Sequence, residues 1–323
     1  MWKIYIFFIN ISINRYLKEV LREIKLIYRK IDYLLDSILA EEKLIGKELK
    51  ELLQSFKETK ETIGYPFGTL CVIHYEEYTD TFNEDIYKIG AAIELLILSF
   101  DIIDDLQDND TNYIWTKTPK FSLNAVLAML TIASKVIHQS TFKHRELAFQ
   151  IIEQYTLLSI NGQQLDLLNI CQDESSYLQM ITQKSGSLTA MSCLVGFILA
   201  QGETSAEVEE YAIALGIIQQ IKNDIKDLKE WNLKNDLLNK KYSLPIIYTF
   251  SLQNDISKKL EGYYKKNEPL GISNNDLIEI IKSNGAIPYA LAIKNLYKYS
   301  ALKLIETKNL SAKGKSYLKK LMK

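Results

Sequence analysis

From Glu94 to Asp110 the sequence reads ELLILSFDIIDDLQDND, an apolar run that ends in Asp101, Asp104, Asp105 and Asp108. At 3.6 residues per turn, Asp104 and Asp108 stack on one row of a helix, with Asp101 and Asp105 on the neighbouring row. Carboxylates this close repel one another, and a helix carboxyl end favours cations rather than anions. A solvated acidic helix end is the ordinary reading of such a pattern. Here the helix leading in is apolar on most of its circumference and belongs inside a bundle. Something cationic must therefore compensate the aspartates, and a hard divalent ion with oxygen ligands suits them.

A second cluster follows the same logic. Asn223 and Asp227 are four apart, Asp224 and Asp227 three apart, so one helical face presents three oxygen-bearing side chains after another apolar approach, Ala212 to Ile221. Two such faces opposed across a bundle would hold Mg2+, which keeps waters and completes its shell with phosphate oxygens. Lys184 interrupts an apolar helix, and Lys240-Lys241 precede Ser243-Leu244-Pro245. Lysine is a compact point charge suited to a phosphate oxygen. Taken singly each lysine reads as surface; with the carboxylates they complete a diphosphate cage.

The elements that must position these groups are helical. Residues 15–60 alternate charged and apolar positions at helical spacing, giving one broken helix or two, and the Gly64–Gly68 cluster ends them. A helix from about Thr69 to Tyr78 follows. Thr81 and Glu84 form a capping-box pattern for the central helix, and residues 109–120 read as a loop over its acidic end. The pattern continues with helices over 122–139 and 145–169. Asp173 caps a helix reaching about Gln201, and Thr204 with Glu207 opens the one that carries the second cluster. Residues 235–242 read as a charged loop; Leu244-Pro245 start a further helix, and two or three more follow Ser273.

Composition agrees with an all-α protein. Apolar residues are 47% of 323, with only 5 prolines and 13 glycines. We expect one domain over 1–323: an amino-terminal helical region (1–60), a catalytic core (61–250) and carboxy-terminal helices (251–323). A net charge of −1 offers no field for nucleic acid. Cys71, Cys171 and Cys193 lack metal-ligand spacing, and His74, His138 and His144 are dispersed, so zinc is not expected. Three buried thiols fit a reducing cytoplasm. The apolar opening, MWKIYIFFINISI, is too short to span a bilayer and reads as a docking segment, a peripheral membrane contact or a misplaced start, in that order.

These residues resemble the trans-isoprenyl diphosphate synthase superfamily over roughly 63–250. DDLQD (104–108) resembles its first aspartate-rich motif and GIIQQIKNDIKD (216–227) its second, with Asn223 where Asp is usual. Gly162, Gln163 and Asp166 match a GQxxD stretch; Lys184-Ser185 resembles a Lys-Thr pair; DLLNKKYSLP (236–245) resembles DLxxGKxTLP. The resemblance implies a helical bundle of about ten or more helices around a central cavity. It also implies about three Mg2+ ions on Asp104, Asp105, Asp108, Asn223, Asp224 and Asp227. Lys184 and Lys241 would act on an allylic diphosphate, with Phe100, Gln163, Asp166 and Gln220 in substrate contact. Homodimers are common in this family.

Two family elements are missing. Tyr65-Pro66-Phe67-Gly68 stands where chain-elongating members carry a Gly-Lys-Arg-x-Arg-Pro element for isopentenyl diphosphate, and Asn109-Asp110-Thr111-Asn112 replaces an Arg-Arg-Gly. The arginines of the whole chain are Arg15, Arg22, Arg29 and Arg145, so no guanidinium fork awaits a second diphosphate. That pattern is similar to the ComQ-type branch, which attaches geranyl or farnesyl to a tryptophan of a pheromone precursor peptide. Residues 93–110, 184–188 and 199–203 also look like that branch, although the second motif stays closer to the general family. The rival readings are a short-chain polyprenyl diphosphate synthase, a class I terpene cyclase and a non-catalytic regulatory subunit. The cyclase pattern of Asn, Ser/Thr and Glu at steps of four fails at Asp227 and Trp231.

The donor should be short, C10 or C15. Phe100 lies one helical turn before Asp104, about 6 Å along the axis, where its ring would floor a cavity whose neighbour Ser99 is small. Phe100→Ala should then accept geranylgeranyl diphosphate with a modest loss of stability. Unchanged preference across C10, C15 and C20 donors would place the floor elsewhere.

Overall fold

The apolar periods of 3.6 residues fold as expected into helices, and no strand occurs among the described residues. The computed structural model describes residues 2–62, 64–108, 112–229, 237, 239–266, 269 and 274–322, with side chains from Val20 onward except at 229, 274, 275 and 278. In chain order the helices are α1 (Trp2–Glu41), α2 (Lys47–Glu61), α3 (Pro66–Tyr78), α4 (Asp85–Gln107), α5 (Pro119–His138), α6 (Arg145–Leu168), α7 (Glu174–Ile181), α8 (Ser187–Gln201), α9 (Ala206–Lys229), α10 (Leu244–Ser251), α11 (Asp255–Lys266), α12 (Asn274–Ser283), α13 (Ala286–Thr307) and α14 (Ala312–Leu321). A short 3-10 turn, Ile114–Lys117, precedes α5, and a π-turn, Thr182–Gly186, joins α7 to α8.

The chain divides into two compact units: Met1–Glu153, Met191–Val208 and Ile305–Lys323 form one; Gln154–Ala190 and Glu209–Leu304 form the other.

In the first unit α4 is the buried axis, packed by α1, α3 and α5. Every residue from Ile89 to Ser99 is buried, and burial eases only at Phe100 and Asp101. The helix starts differently from the sequence expectation. Glu84 is its N-cap without a side-chain bond, and Asn83 Oδ1 instead accepts from the Asp85 N–H at 3.0 Å. An Asx-turn has displaced the Thr81 capping box, whose carbonyl is taken by Tyr75 and Thr79. α3 begins at Pro66, earlier than Thr69, because proline suits the first turn. α5 is long and apolar enough to cross a membrane, a property the sequence reading found nowhere in the chain. Its Ser122, Ala125, Val126, Met129, Ile132, Ala133 and Ile137 form a buried helical stripe, while Phe121 and Leu127 are exposed. That is the pattern of a helix packed on one face.

In the second unit Ile217, Ile221 and Ile225 of α9 pack with Tyr177, Met180 and Ile181 of α7, Leu244 and Ile247 of α10, and Ala290 of α13. Asp173 caps α7 with a capping box closed by Ser176. The continuous helix expected from there to Gln201 is interrupted by the π-turn that carries Lys184. Two glycines explain how the turn fits. A Cβ on Gly162 of α6 would stand 2.2 Å from the Lys184 nitrogen, and one on Gly216 of α9 would stand 2.5 Å from the Ser185 carbonyl oxygen. The wider backbone of the π-turn is thus gripped between two side-chain-free surfaces. Ser159 adds a hydrogen bond from its hydroxyl to the Lys184 carbonyl at 2.9 Å.

Gly162→Ala weighs two effects against each other. Alanine stabilises a helix by about 1 kcal/mol over glycine, whereas overpacking against backbone that cannot retreat costs about 1–3 kcal/mol. The overlap should win, lowering the urea unfolding midpoint. A midpoint equal to or above wild type would show that the π-turn yields freely.

Candidate functional site

The acidic end of α4 belongs to the first unit, and its charges are compensated in two ways. Lys60, 3% exposed on α2, lies 3.1 Å from Asp101 Oδ2 and 3.4 Å from Glu94 Oε2. Glu94 is fully buried and also accepts the Gly68 N–H at 2.6 Å. Burial opposes the charge on Lys60, but Asp101 and Glu94 outweigh it and hold the ammonium above its ordinary range. Burial raises Glu94 above the usual carboxylate range, with Lys60 and Gly68 pulling the other way. The cation that the aspartates demanded is thus, at Asp101, a protein lysine rather than a metal.

Asp105 is 8% exposed, and its Oδ2 accepts a hydrogen bond from Trp115 Nε1 at 3.0 Å. Trp115 is itself buried, stacked on Tyr113 and edge-on to Phe56, and its carbonyl accepts from Ser122. The loop after α4 is therefore pinned by its tryptophan; residues 109–111 of that loop lie outside the described residues. Asp104 and Asp108 are partly exposed, as is Phe100.

The second cluster has the same construction. Asp224 is 4% exposed and takes Tyr177 Oη–H at 2.5 Å and Gln220 Nε2–H at 3.0 Å. Burial pushes its carboxyl up to about 6, while Tyr177, Gln220 and the Leu244 N–H act against the rise. Asn223 is exposed and Asp227 partly exposed. In both clusters the middle aspartate is withdrawn from water and held by an aromatic donor, and its neighbours on the helix face outward. Of the six expected ligands, Asp105 and Asp224 are the most buried, and Asp104, Asp108, Asn223 and Asp227 are the more exposed oxygen donors.

Gln220, expected to contact substrate, uses both ends of its amide inside the protein: Oε1 accepts from Ser185 Oγ–H at 2.8 Å while Nε2 serves Asp224. Asp166 is the counter-ion of Lys184, 2.6 Å from its Nζ. Burial would raise Asp166, but Lys184 and then Lys241 outweigh it and hold the carboxyl below its ordinary range. The fold thus gathers Asp166, Lys184 and Lys241 within one electrostatic group. Gln163 is half-buried on the same helix as Asp166. The adjacent lysines separate: Lys240 Nζ lies 4.6 Å from the Tyr263 ring centroid, whereas Lys241 acts on Asp166.

The donor set is all oxygen, which fits a hard divalent ion. Among the described residues no three His, Cys, Asp or Glu side chains converge closely enough to hold a metal unaided. Trp231, invoked against a cyclase pattern, lies outside the described residues.

Trp115, Tyr177 and Lys60 were not singled out by motif. The available signals were weak ones: a lone tryptophan in a polar loop, and a lysine at the end of a helix rich in lysines.

The polyprenyl synthetase family profile matches residues 50–281. Tryptophan prenyltransferase ComQ of Bacillus subtilis subsp. natto (strain BEST195) is 36% identical over 239 residues, covering 73% of this chain and 75% of that protein. Tryptophan prenyltransferase ComQ of Bacillus subtilis (strain 168) is 31% identical over 274 residues, covering 82% and 89%. The crystal structure of geranylgeranyl pyrophosphate synthase from Lactobacillus brevis superposes with a TM-score of 0.78 at 19% identity, covering 93% of this chain and 97% of that one. The last of these concerns the fold alone. With a family profile spanning both carboxylate clusters and both lysines, and relatives above 30% identity across most of their length, the chain belongs to the polyprenyl synthetase family.

Proposed function

We propose that this protein is an isoprenyl transferase that moves a C10 or C15 group from an allylic diphosphate to the indole of a tryptophan, in a small precursor peptide. The observation that carries the reading is the imbalance of its charges. The donor side keeps Asp104, Asp108, Asn223, Asp227, Lys184 and Lys241, whereas the buried cation beside the first cluster, Lys60, is already held by Glu94 and Asp101. Among the described residues no guanidinium lies on α3 or α4 beside the first cluster, where an anionic acceptor would need one, and a neutral indole needs none. The names of the ComQ relatives point the same way.

In this reading Asp104, Asp105, Asp108, Asn223, Asp224 and Asp227 would hold the divalent ions, with the buried Asp105 and Asp224 also fixing the helix ends through Trp115 and Tyr177. Mg2+ is the ion that the family resemblance favours, with three bound alongside diphosphate. When bound, it supplies positive charge to the departing diphosphate. Lys184 and Lys241 present ammonium groups to the same oxygens, and the Asp166 carboxylate aims Lys184. These charges favour the separated diphosphate over the intact ester, which lowers the barrier to breaking the C–O bond. The allylic carbocation left behind is captured by the electron-rich indole ring, forming the new carbon–carbon bond; the ring then releases a proton. In this proposal residues 1–323 are taken as a single catalytic domain, in the cytoplasm. Pairing of two copies and peripheral membrane contact by the amino-terminal segment belong to the same proposal.

The test is incubation of the full chain with Mg2+, geranyl or farnesyl diphosphate and a tryptophan-containing precursor peptide, followed by peptide mass mapping. One prenyl group on tryptophan is expected. Incorporation of labelled isopentenyl diphosphate, or a hydrocarbon formed without peptide, would overturn the assignment. In the same assay Asp104→Ala or Asp108→Ala should reduce turnover by about 100-fold or more, the scale of losing one preorganised charge contact. Their unfolding midpoints should stay at or above wild type, because like-charge repulsion is relieved. Near wild-type turnover would remove these residues from the site.

A further inference from the structure

Lys241 lies in non-helical backbone three residues before α10, whose N-cap Ser243 makes no side-chain cap bond. The residue before it, Lys240, has a left-handed backbone, φ +53°, at the position where the resembled DLxxGKxTLP pattern has glycine. For a residue with a Cβ that conformation costs about 1–2 kcal/mol, so something must impose it.

Two side chains from elsewhere in the same unit grip the backbone on both sides of Lys241. Asn169 Nδ2–H donates to the Lys240 carbonyl at 2.8 Å, and Asn169 Oδ1 accepts the Tyr242 N–H at 3.2 Å. Tyr264 Oη–H donates to the Lys241 carbonyl at 3.1 Å. Three consecutive residues are thus fixed by three hydrogen bonds. Tyr264 is braced by ring contacts with Tyr242 and Phe250. Asn169 is equally constrained: it is itself left-handed, φ +53°, just beyond the last residue of α6, and its N–H bonds back to the Asp166 carbonyl at 3.0 Å. Asparagine is among the few residues that close a helix in this conformation. The side chain that stops α6 three residues after Asp166 is therefore the one that anchors the backbone of Lys241.

We propose that Asn169 and Tyr264 are positioning residues that fix the backbone on both sides of Lys241, so that its phosphate-binding ammonium is preorganised. Neither touches the diphosphate; both act through Lys241. The proposal rests on the reading of Lys241 as a diphosphate contact. A loosened Lys241 must be ordered at the moment of binding, and that cost appears in affinity.

The experiment measures the Kd of inorganic diphosphate with saturating Mg2+, by calorimetry on the full chain, which requires neither turnover nor an identified acceptor. Asn169→Gly keeps the left-handed backbone and removes both side-chain bonds; Tyr264→Phe removes one bond while keeping the ring. Lys241→Ala should weaken binding about tenfold, Asn169→Gly about fivefold and Tyr264→Phe two- to threefold. The Asn169→Gly/Lys241→Ala double variant should bind no more weakly than Lys241→Ala alone, since both act through one group. Lys240→Gly, which relieves the strained backbone, should restore part of the affinity lost in Asn169→Gly. If Lys241→Ala leaves Kd unchanged, the reading of Lys241 itself fails. If Lys241→Ala weakens binding but Asn169→Gly and Tyr264→Phe do not, or if the losses multiply in the double variant, the positioning role is overturned while that reading stands.

Discussion

A carboxylate withdrawn from water must be met by a donor, and the residues around both acidic helix ends are arranged by that requirement. Leaving a buried charge unmatched costs several kcal/mol, so each one dictates its surroundings. Buried Glu94 requires Lys60, which also pairs with the half-exposed Asp101 and brings the end of α2 against α4. Asp105 requires Trp115, which draws the loop after α4 down onto the helix that precedes it. Asp224 requires Tyr177 and Gln220, and Gln220 in turn reaches the hydroxyl of Ser185 beside Lys184. A hydrogen bond to a charged group contributes about 1.5–3 kcal/mol, several times the share of a typical surface ion pair. Position in the site is therefore set by a few short, dry contacts rather than by many wet ones.

The same requirement grades burial within each cluster. Asp105 and Asp224 are each buried against an aromatic donor, while Asp104, Asp108, Asn223 and Asp227 on the same helices are more exposed. Lys57 on α2 repeats the principle away from the site: it is buried between Asp32 and Asp36, at 2.5 and 2.9 Å, with Tyr65 also donating to Asp32. Helix α2 thus inserts two ammonium groups, each clamped by two carboxylates.

Much of this was legible in the sequence. The apolar run from Glu94 announced a buried helix, Asp173 announced a cap, and proline at position 245 announced a first turn, whereas Pro66 reads as part of a break. Such signals act within four residues, and the chain carries them in plain order. The carboxylate clusters were legible for the same reason, because their ligands share one helical face. What could not be read were bonds between residues far apart in the chain. Lys60 and Asp101 are 41 residues apart, and Asn169 and Lys240 are 71 apart. Neither local propensity nor period reports such a pairing. Residue type did not separate Lys240 from Lys241, and only the resemblance singled out Lys241; in the fold Lys240 has a left-handed φ and reaches an aromatic face, while Lys241 acts on Asp166. The capping box at Thr81 failed because Asn83 offered the backbone a shorter loop of its own.

The π-turn at Thr182–Gly186 also acts as a phase shifter. It admits one residue more than an α-turn, and each residue advances a helix by about 100°. The side chains beyond Gly186 therefore point along azimuths rotated by one position from those that an uninterrupted α7 would have given. Tyr177 and Ile181 define one meridian of α7, and counting in steps of four from them misassigns every inward face of α8. Length and phase are separable in this segment. A chain lacking one residue between 182 and 186 would still reach from Asp173 to Gln201 as a tidy helix, yet would turn its lysine off Asp166 and rotate the small residues Ala190 and Ser192 out of register with their present neighbours.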